Sequence, residues 1–146
     1  MNKLYTLTFL FCFSFLYSQK KELKLAQKLF KQEKVSESKE TLLSNGDLIL
    51  NSNDSKLITQ YHLLVGQIAK SEKEFSKAFD NFKLAEGNKA IKDVLKSELE
   101  FLLYEIQTYA NEDYNSGNYK EAALNYNLAF NMSPEKTDLL YYAAVC

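Results

Sequence analysis

Apolar residues recur along the chain at the three- and four-residue spacing of amphipathic helices. The clearest stripe occupies one side of a single long segment and comprises Ile91, Leu95, Leu99, Leu102, Ile106, Tyr109 and Ala110. No segment alternates apolar and polar residues for the length of a strand, so we predict an all-α fold. The seven predicted helices lie at about 20–32, 36–51, 54–71, 74–86, 89–116, 118–131 and 136–146.

Residues that are typical of helix termini support several of these boundaries. Asn53, Asp54 and Ser55 offer side-chain oxygens that can cap the third predicted helix, and Asn88 does the same before the fifth. Gly87 suits a left-handed C-terminal cap, and Gly117 suits the turn between the fifth and sixth helices. Gly46 falls inside the second predicted helix, where glycine is unfavourable.

The spacing of small and large residues repeats along the chain. In each unit a second small residue follows the first by twelve positions, and a larger residue follows by four more. The three units contain Ala26, Ser38 and Leu42; Gly66, Ala78 and Phe82; and Ala110, Ala122 and Tyr126. Two antiparallel helices can approach closely where small residues face each other, while the larger residues fill the space between hairpins. One hairpin cannot bury both of its faces, so the units are expected to stack.

Residues 110–134 resemble the tetratricopeptide repeat, and residues 59–90 resemble it with Lys73 in place of the turn glycine. The matching residues of the later unit are Ala110, Tyr114, Gly117, Tyr119, Ala122, Tyr126, Ala129 and Pro134. The resemblance implies a TPR-like α-solenoid of antiparallel helix hairpins with irregular, longer first repeats. The units would span about 19–52, 59–92 and 103–136, followed by a partial unit at 137–146.

The first residues have the pattern of a secretory signal. A short basic start containing Lys3 precedes an apolar or uncharged run from Leu4 to Tyr17, which is too short for a membrane span. Residues 1–18 are therefore predicted to be a signal peptide and residues 19–146 the exported domain; an uncleaved N-terminal anchor is the alternative. The layout is similar to exported repeat proteins of Gram-negative bacteria, which implies a periplasmic or cell-envelope location. We expect no membrane span after signal removal.

The composition argues against several classes of function. All 18 basic residues are lysines and the net charge is −1, which argues against nucleic acid as a partner. His62 is the only histidine and has no ligand-type neighbours at metal spacing, so we interpret it as structural. We interpret carboxylates such as Glu98 as part of a solvent-exposed helix face. The chain lacks a phosphate-binding glycine loop and a Cys-x-x-Cys pair. We therefore expect no catalytic group, cofactor, metal or small-molecule substrate.

Tyrosine and asparagine residues in the C-terminal part suggest a surface for a protein partner. We expect one side of the first helix of the third unit to line the inner groove of the repeats, together with one residue of the partial unit that follows. The candidate partner-binding residues are Tyr104, Gln107, Asn111, Tyr114, Asn115 and Tyr141. Tyrosine provides flat apolar area and asparagine adaptable hydrogen bonds. The alternative is that the tyrosines only support packing, a role we assign to Tyr109, Tyr119 and Tyr126.

These observations predict a non-catalytic protein–protein interaction scaffold in the cell envelope that binds a peptide or protein segment in its concave groove. An alternative is a sensory or regulatory input region of a longer signalling protein, and a third is a helper subunit of an envelope enzyme or transporter. The partial unit at 137–146 would need a paired helix from downstream residues. A downstream signalling domain would favour the second function, and further repeats the first.

The signal assignment predicts a mature N-terminus at or near Gln19, where the apolar run has ended and charged residues begin. Mass spectrometry of the protein from the envelope fraction measures this directly. An intact Met1 in that fraction would contradict the assignment.

Overall fold

The computed structural model describes residues 19–146, and every regular element in that part of the chain is helical. The predicted signal peptide at residues 1–18 lies outside the described residues. Helix α1 occupies residues 19–31. It is followed by α2 (Val35–Ser44), α3 (Gly46–Leu50), α4 (Ser55–Ser71), α5 (Phe75–Leu84), α6 (Lys92–Asn115), α7 (Tyr119–Met132) and α8 (Thr137–Val145).

Two of the predicted helices differ from the structure. The continuous helix predicted at 36–51 is wrong, because the chain breaks at Asn45 into α2 and α3. There the Asn45 side chain turns back and donates from Nδ2 to the Thr41 carbonyl oxygen at 3.0 Å. The helix predicted from residue 89 begins instead with a 3₁₀ turn at Lys89–Ile91, which Asn88 caps by accepting from the Ala90 amide at 3.0 Å.

The same turn closes three helix pairs. A residue with positive φ stands between the helices of each pair: Glu33 (62°), Lys73 (63°) and Gly117 (79°). In each turn the following residue donates its amide to the carbonyl five positions earlier: Lys34 to Leu29, Glu74 to Ala69 and Asn118 to Asp113. Only the third turn has the glycine that this conformation favours. In the second turn Lys73 adopts this conformation, and its Nζ lies 4.6 Å from the centre of the Tyr109 ring.

Small buried residues lie where the paired helices cross. Ala26 and Ser38 are both fully buried, and the Ser38 hydroxyl donates to the Ala26 carbonyl oxygen at 2.8 Å. At the equivalent place in α4, a Cβ on Gly66 would lie only 3.2 Å from the Ala78 carbonyl oxygen. Ala110 and Ala122, the third such pair, are also completely buried. The twelve-residue interval in the sequence therefore corresponds to a close approach between helices.

Helix α4 joins two hydrophobic clusters by contributing a different face to each. Leu57, Tyr61, Leu64 and Ile68 belong to the first cluster, with residues from α1, α2 and α3. Leu63 and Ala69 belong to the second, which continues through α5, α6 and α7 to Leu139 of α8. Adjacent helices pack against one another, and among α2 to α8 the contacts are most extensive between α4 and α5, α6 and α7, and α7 and α8.

Polar contacts add links between helices. Glu98 of α6 accepts from Gln67 Nε2 of α4 at 2.7 Å and forms an ion pair with Lys70. The expectation of a solvated Glu98 is therefore wrong: the carboxylate is partly buried because α6 extends across α4. His62 links α4 to α5, since its Nδ1 lies 3.0 Å from Oδ1 of Asn81. Within residues 19–146, none of the helices combines the length and apolar character needed to cross a bilayer.

The Gly66 crossing predicts an inverted response to a helix-favouring substitution. Glycine to alanine in a helix interior ordinarily stabilises by roughly 0.5–1 kcal/mol. At position 66 the added Cβ would lie 2.5 Å from two carbons of the fully buried Phe82 ring. We therefore expect Gly66→Ala to destabilise by about 1–3 kcal/mol in denaturant unfolding.

The matched surface control is Glu100→Gln, at a side chain that is 69% exposed on α6. Its unfolding free energy should change by less than about 0.5 kcal/mol. A Gly66→Ala protein as stable as the parent, or more stable, would contradict the close crossing.

Candidate binding cavity between the last three helices

A solvent-open cavity of about 550 Å³ lies between α6, α7 and α8. Its size falls within the range of about 300–1,000 Å³ typical of ligand pockets. The wall residues are all uncharged: Asn111, Tyr114, Tyr126, Tyr141, Tyr142 and Val145. We refer to this site as the tyrosine cavity.

Helical spacing brings the wall residues together. Asn111 and Tyr114 are three positions apart near the end of α6, and Tyr141 and Val145 are four positions apart on α8. Tyr126 comes from α7, which packs against both of the other helices. Leu139 is the buried residue of α8, so this short helix has its neighbours Tyr141 and Tyr142 at the surface.

The tyrosine rings touch one another at an inclination rather than stacking flat. The rings of Tyr126 and Tyr142 have centroids 5.4 Å apart and planes inclined by 41°. Tyr142 also meets Tyr141 edge-on, at 5.9 Å and 62°. On the α6 side, Tyr114 is edge-on to Tyr119 at 5.4 Å. Inclined rings give the cavity several aromatic walls that face different directions.

A hydrogen bond between the walls sets the orientation of the asparagine. The Tyr126 hydroxyl donates to Asn111 Oδ1 at 2.6 Å. Tyr126 is only 5% exposed, and burial raises the pKa of its phenol, with Cys146, Tyr142 and Tyr114 acting in the same direction. The phenol therefore keeps the proton that it donates. The Asn111 amide NH₂ group takes no part in this bond and can donate to a bound molecule.

The structure brings three of the six sequence-predicted site residues together in the tyrosine cavity: Asn111, Tyr114 and Tyr141. It does not bring the other three there. Tyr104 is 66% exposed further back on α6, with its ring beside that of Phe101 at 6.5 Å. Gln107 has its Nε2 buried without a hydrogen-bond partner in the described residues. Asn115 is the exposed last residue of α6.

Three wall residues were missed by sequence reasoning. Tyr126 had been assigned to packing alone, and its buried ring does pack, but its hydroxyl end also reaches the cavity. Tyr142 and Val145 were not proposed as partner contacts, although Tyr142 follows Tyr141 directly on α8 and Val145 stands four positions after Tyr141. Tyr119, also assigned to packing, is half exposed and supports Tyr114 at the rim.

The polar groups of the cavity walls are phenol hydroxyls and one carboxamide, which can donate and accept hydrogen bonds. The terminal thiol of Cys146 donates to the Tyr142 carbonyl oxygen at 3.0 Å. In residues 19–146, no three side chains of His, Cys, Asp or Glu come close enough to hold a metal ion.

Comparison with known proteins gives no relative for this chain. No protein-family model matches it, and neither a curated protein nor a solved structure does so.

The hydrogen bond between Tyr126 and Asn111 predicts a modest loss of stability in Tyr126→Phe. The substitution keeps the buried ring and removes only the hydroxyl that donates at 2.6 Å. A neutral hydrogen bond contributes about 0.5–1.5 kcal/mol, so the unfolding free energy should fall by that amount. Asn111→Ala in the Tyr126→Phe background should then add little, because the partner is already absent. Fully additive losses in the double variant would contradict the pairing.

Proposed function

We propose that this protein is a non-catalytic scaffold that binds a peptide or protein segment at the tyrosine cavity. The observation that carries the proposal is the exposure of large aromatic rings around a formed cavity. Tyr141 is 64% exposed, Tyr142 43% and Tyr114 42%. Tyrosine is enriched at interfaces because its ring offers apolar area and its hydroxyl a hydrogen bond at low entropic cost.

The arrangement of helices supports the same function. Stacked helix hairpins form extended surfaces, and recurring turns at Glu33, Lys73 and Gly117 favour a TPR-like α-solenoid as the architecture. The tyrosine cavity would then belong to the groove between the first helices of successive units. The absence of charged residues from its walls favours a peptide or protein segment over an acidic or basic polymer.

The location that we propose is the cell envelope. The basis is the sequence of the first residues, in which Lys3 precedes an apolar run of signal-peptide length. A scaffold in that compartment depends on packing for its stability, since Cys146 is the only cysteine after residue 18. The small-residue crossings of the hairpins are consistent with that requirement.

A photo-crosslinking amino acid placed at position 141 tests the site in the full protein. We expect it to capture one partner segment in envelope preparations, whereas the same group at Leu84, exposed on α5, should not capture it. Equal capture at both positions would indicate non-specific contact and count against the cavity.

The captured segment then allows an affinity measurement. A buried aromatic anchor at an interface is worth about 2 kcal/mol or more, so Tyr114→Ala should weaken binding more than tenfold by calorimetry. Leu84→Ala provides the control, because it removes a similarly exposed apolar side chain distant in sequence from the cavity. Unchanged affinity in a folded Tyr114→Ala protein would refute the assignment of this surface.

A further inference from the structure

We propose that the tyrosine cavity receives a lysine or arginine side chain of the partner, held by the faces of the tyrosine rings. The inference rests on the proposed function and specifies the chemistry of the side chain that the cavity recognises. It follows from the ring arrangement, the lack of cations in the walls and the charge of the surrounding helices.

The rings provide the first argument. Four of the six wall residues are tyrosines, and contacting rings are inclined by 41° and 62°. An aromatic ring carries negative potential on its faces, so a cation within about 6 Å of a ring centre is attracted. Rings inclined to one another can direct more than one face toward the same point. An aliphatic side chain would use the apolar area of such walls but not their electrostatic potential.

The chain already uses this interaction at other places. In residues 19–146, three lysines lie over aromatic rings: Lys70 over Phe101 at 4.7 Å, Lys73 over Tyr109 at 4.6 Å and Lys83 over Phe79 at 5.3 Å. None of these rings belongs to the tyrosine cavity. The cavity therefore presents the same kind of aromatic surface with no cation of the chain among its wall residues.

The distribution of charge provides the second argument. Residues 111–146, which contain every wall residue of the cavity, carry five acidic residues and two lysines. Residues 19–91 instead carry ten acidic residues and thirteen lysines, so that part of the chain has no excess of negative charge. Asp138 is exposed on α8, three and four positions before Tyr141 and Tyr142, and thus on the same side of that helix.

A negative field of this kind favours a positive occupant. It raises the local concentration of cations and opposes carboxylates, although the phenol hydroxyls and the Asn111 amide could donate hydrogen bonds to an anion. With no carboxylate among the wall residues, the ring faces would make the direct contact and the surrounding acids would supply long-range attraction.

The test uses three peptides that differ in one side chain. Acetyl-Ala-Lys-Ala-amide is compared with the same peptide containing norleucine, which keeps the aliphatic stem without the charge, or glutamate, which reverses the charge. Binding to the whole protein is followed by NMR of the tyrosine rings. We expect the lysine peptide to bind about fivefold or more tightly than the norleucine peptide, and the glutamate peptide to bind most weakly.

Two variants at one position separate the ring from the hydroxyl. Tyr141 is 64% exposed, so its replacement should not disturb folding. Tyr141→Leu removes the ring and keeps apolar bulk, and it should abolish most of the preference for lysine. Tyr141→Phe keeps the ring and should retain that preference. The unaffected NMR signal of the buried Tyr61 ring verifies that both variants are folded.

The possible results distinguish this inference from the proposed function. If all three peptides bind equally and Tyr141→Leu weakens them alike, the cavity is an apolar anchor: the scaffold function stands and the cation inference is overturned. A preference for glutamate, or no binding of the lysine peptide, also overturns it. A dimer that Tyr141→Leu dissociates would also overturn the cation inference, because a second copy of the chain would then fill the site. If the lysine peptide binds most tightly but Tyr114→Ala does not weaken binding of the captured partner, the cation site is supported and the proposed scaffold function fails.

Discussion

The close approach of paired helices is the constraint on which the rest of the structure depends. Where α4 and α5 cross, there is no room for a Cβ on Gly66, because Phe82 and the Ala78 backbone occupy that space. Fully buried alanines take the same positions where α6 meets α7. A close crossing fixes the two helices of a pair along their length, since interiors pack densely and adjust little. The fixed pair α6 and α7 then provides two of the three walls of the tyrosine cavity.

The cavity depends on this constraint in a second way. Tyr126 occupies in the third helix pair the position that Phe82 occupies in the second, four residues after the small residue. Phe82 is fully buried, whereas Tyr126 buries its ring and extends its hydroxyl to Asn111. The substitution of a phenol for a phenyl ring thus connects the hairpin core to the tyrosine cavity. A substitution in the core of the α6–α7 pair should therefore also affect the walls of the tyrosine cavity.

Much of the fold could be predicted from the sequence because helix periodicity and small-residue spacing report local geometry. The positive φ at Gly117 and the capping by Asp54 fall where residue chemistry places them. The break at Asn45 could not be predicted with the same ease, because it depends on tertiary contacts. A Cβ on Gly46 would lie 2.7 Å from the Tyr61 hydroxyl oxygen, so α3 takes its place through packing on α4. Glu98 was misjudged for the same reason, since its partners Gln67 and Lys70 are about thirty residues away.

The walls of the tyrosine cavity were predictable in part. Helical spacing places Asn111 and Tyr114 on one side of α6, and the structure has both at the cavity. Tyr104 satisfies the same spacing but lies about ten residues earlier, near 15 Å along the helix, beyond the reach of α8 side chains. The residue spacing along α6 does not show which part of α6 lies beside α8. Tyr104 is outside the cavity for this reason. Tyr142 and Val145 enter it because α8 packs on α7.

We propose that the partner binds between α6, α7 and α8. Hydrogen exchange with and without the captured partner segment measures this most directly, because bound helices open less often. We predict new protection in the C-terminal half of α6 and throughout α8 (Thr137–Val145), with exchange in residues 19–91 unchanged. Protection confined to residues 19–91, with α8 exchanging as in the free protein, would contradict it.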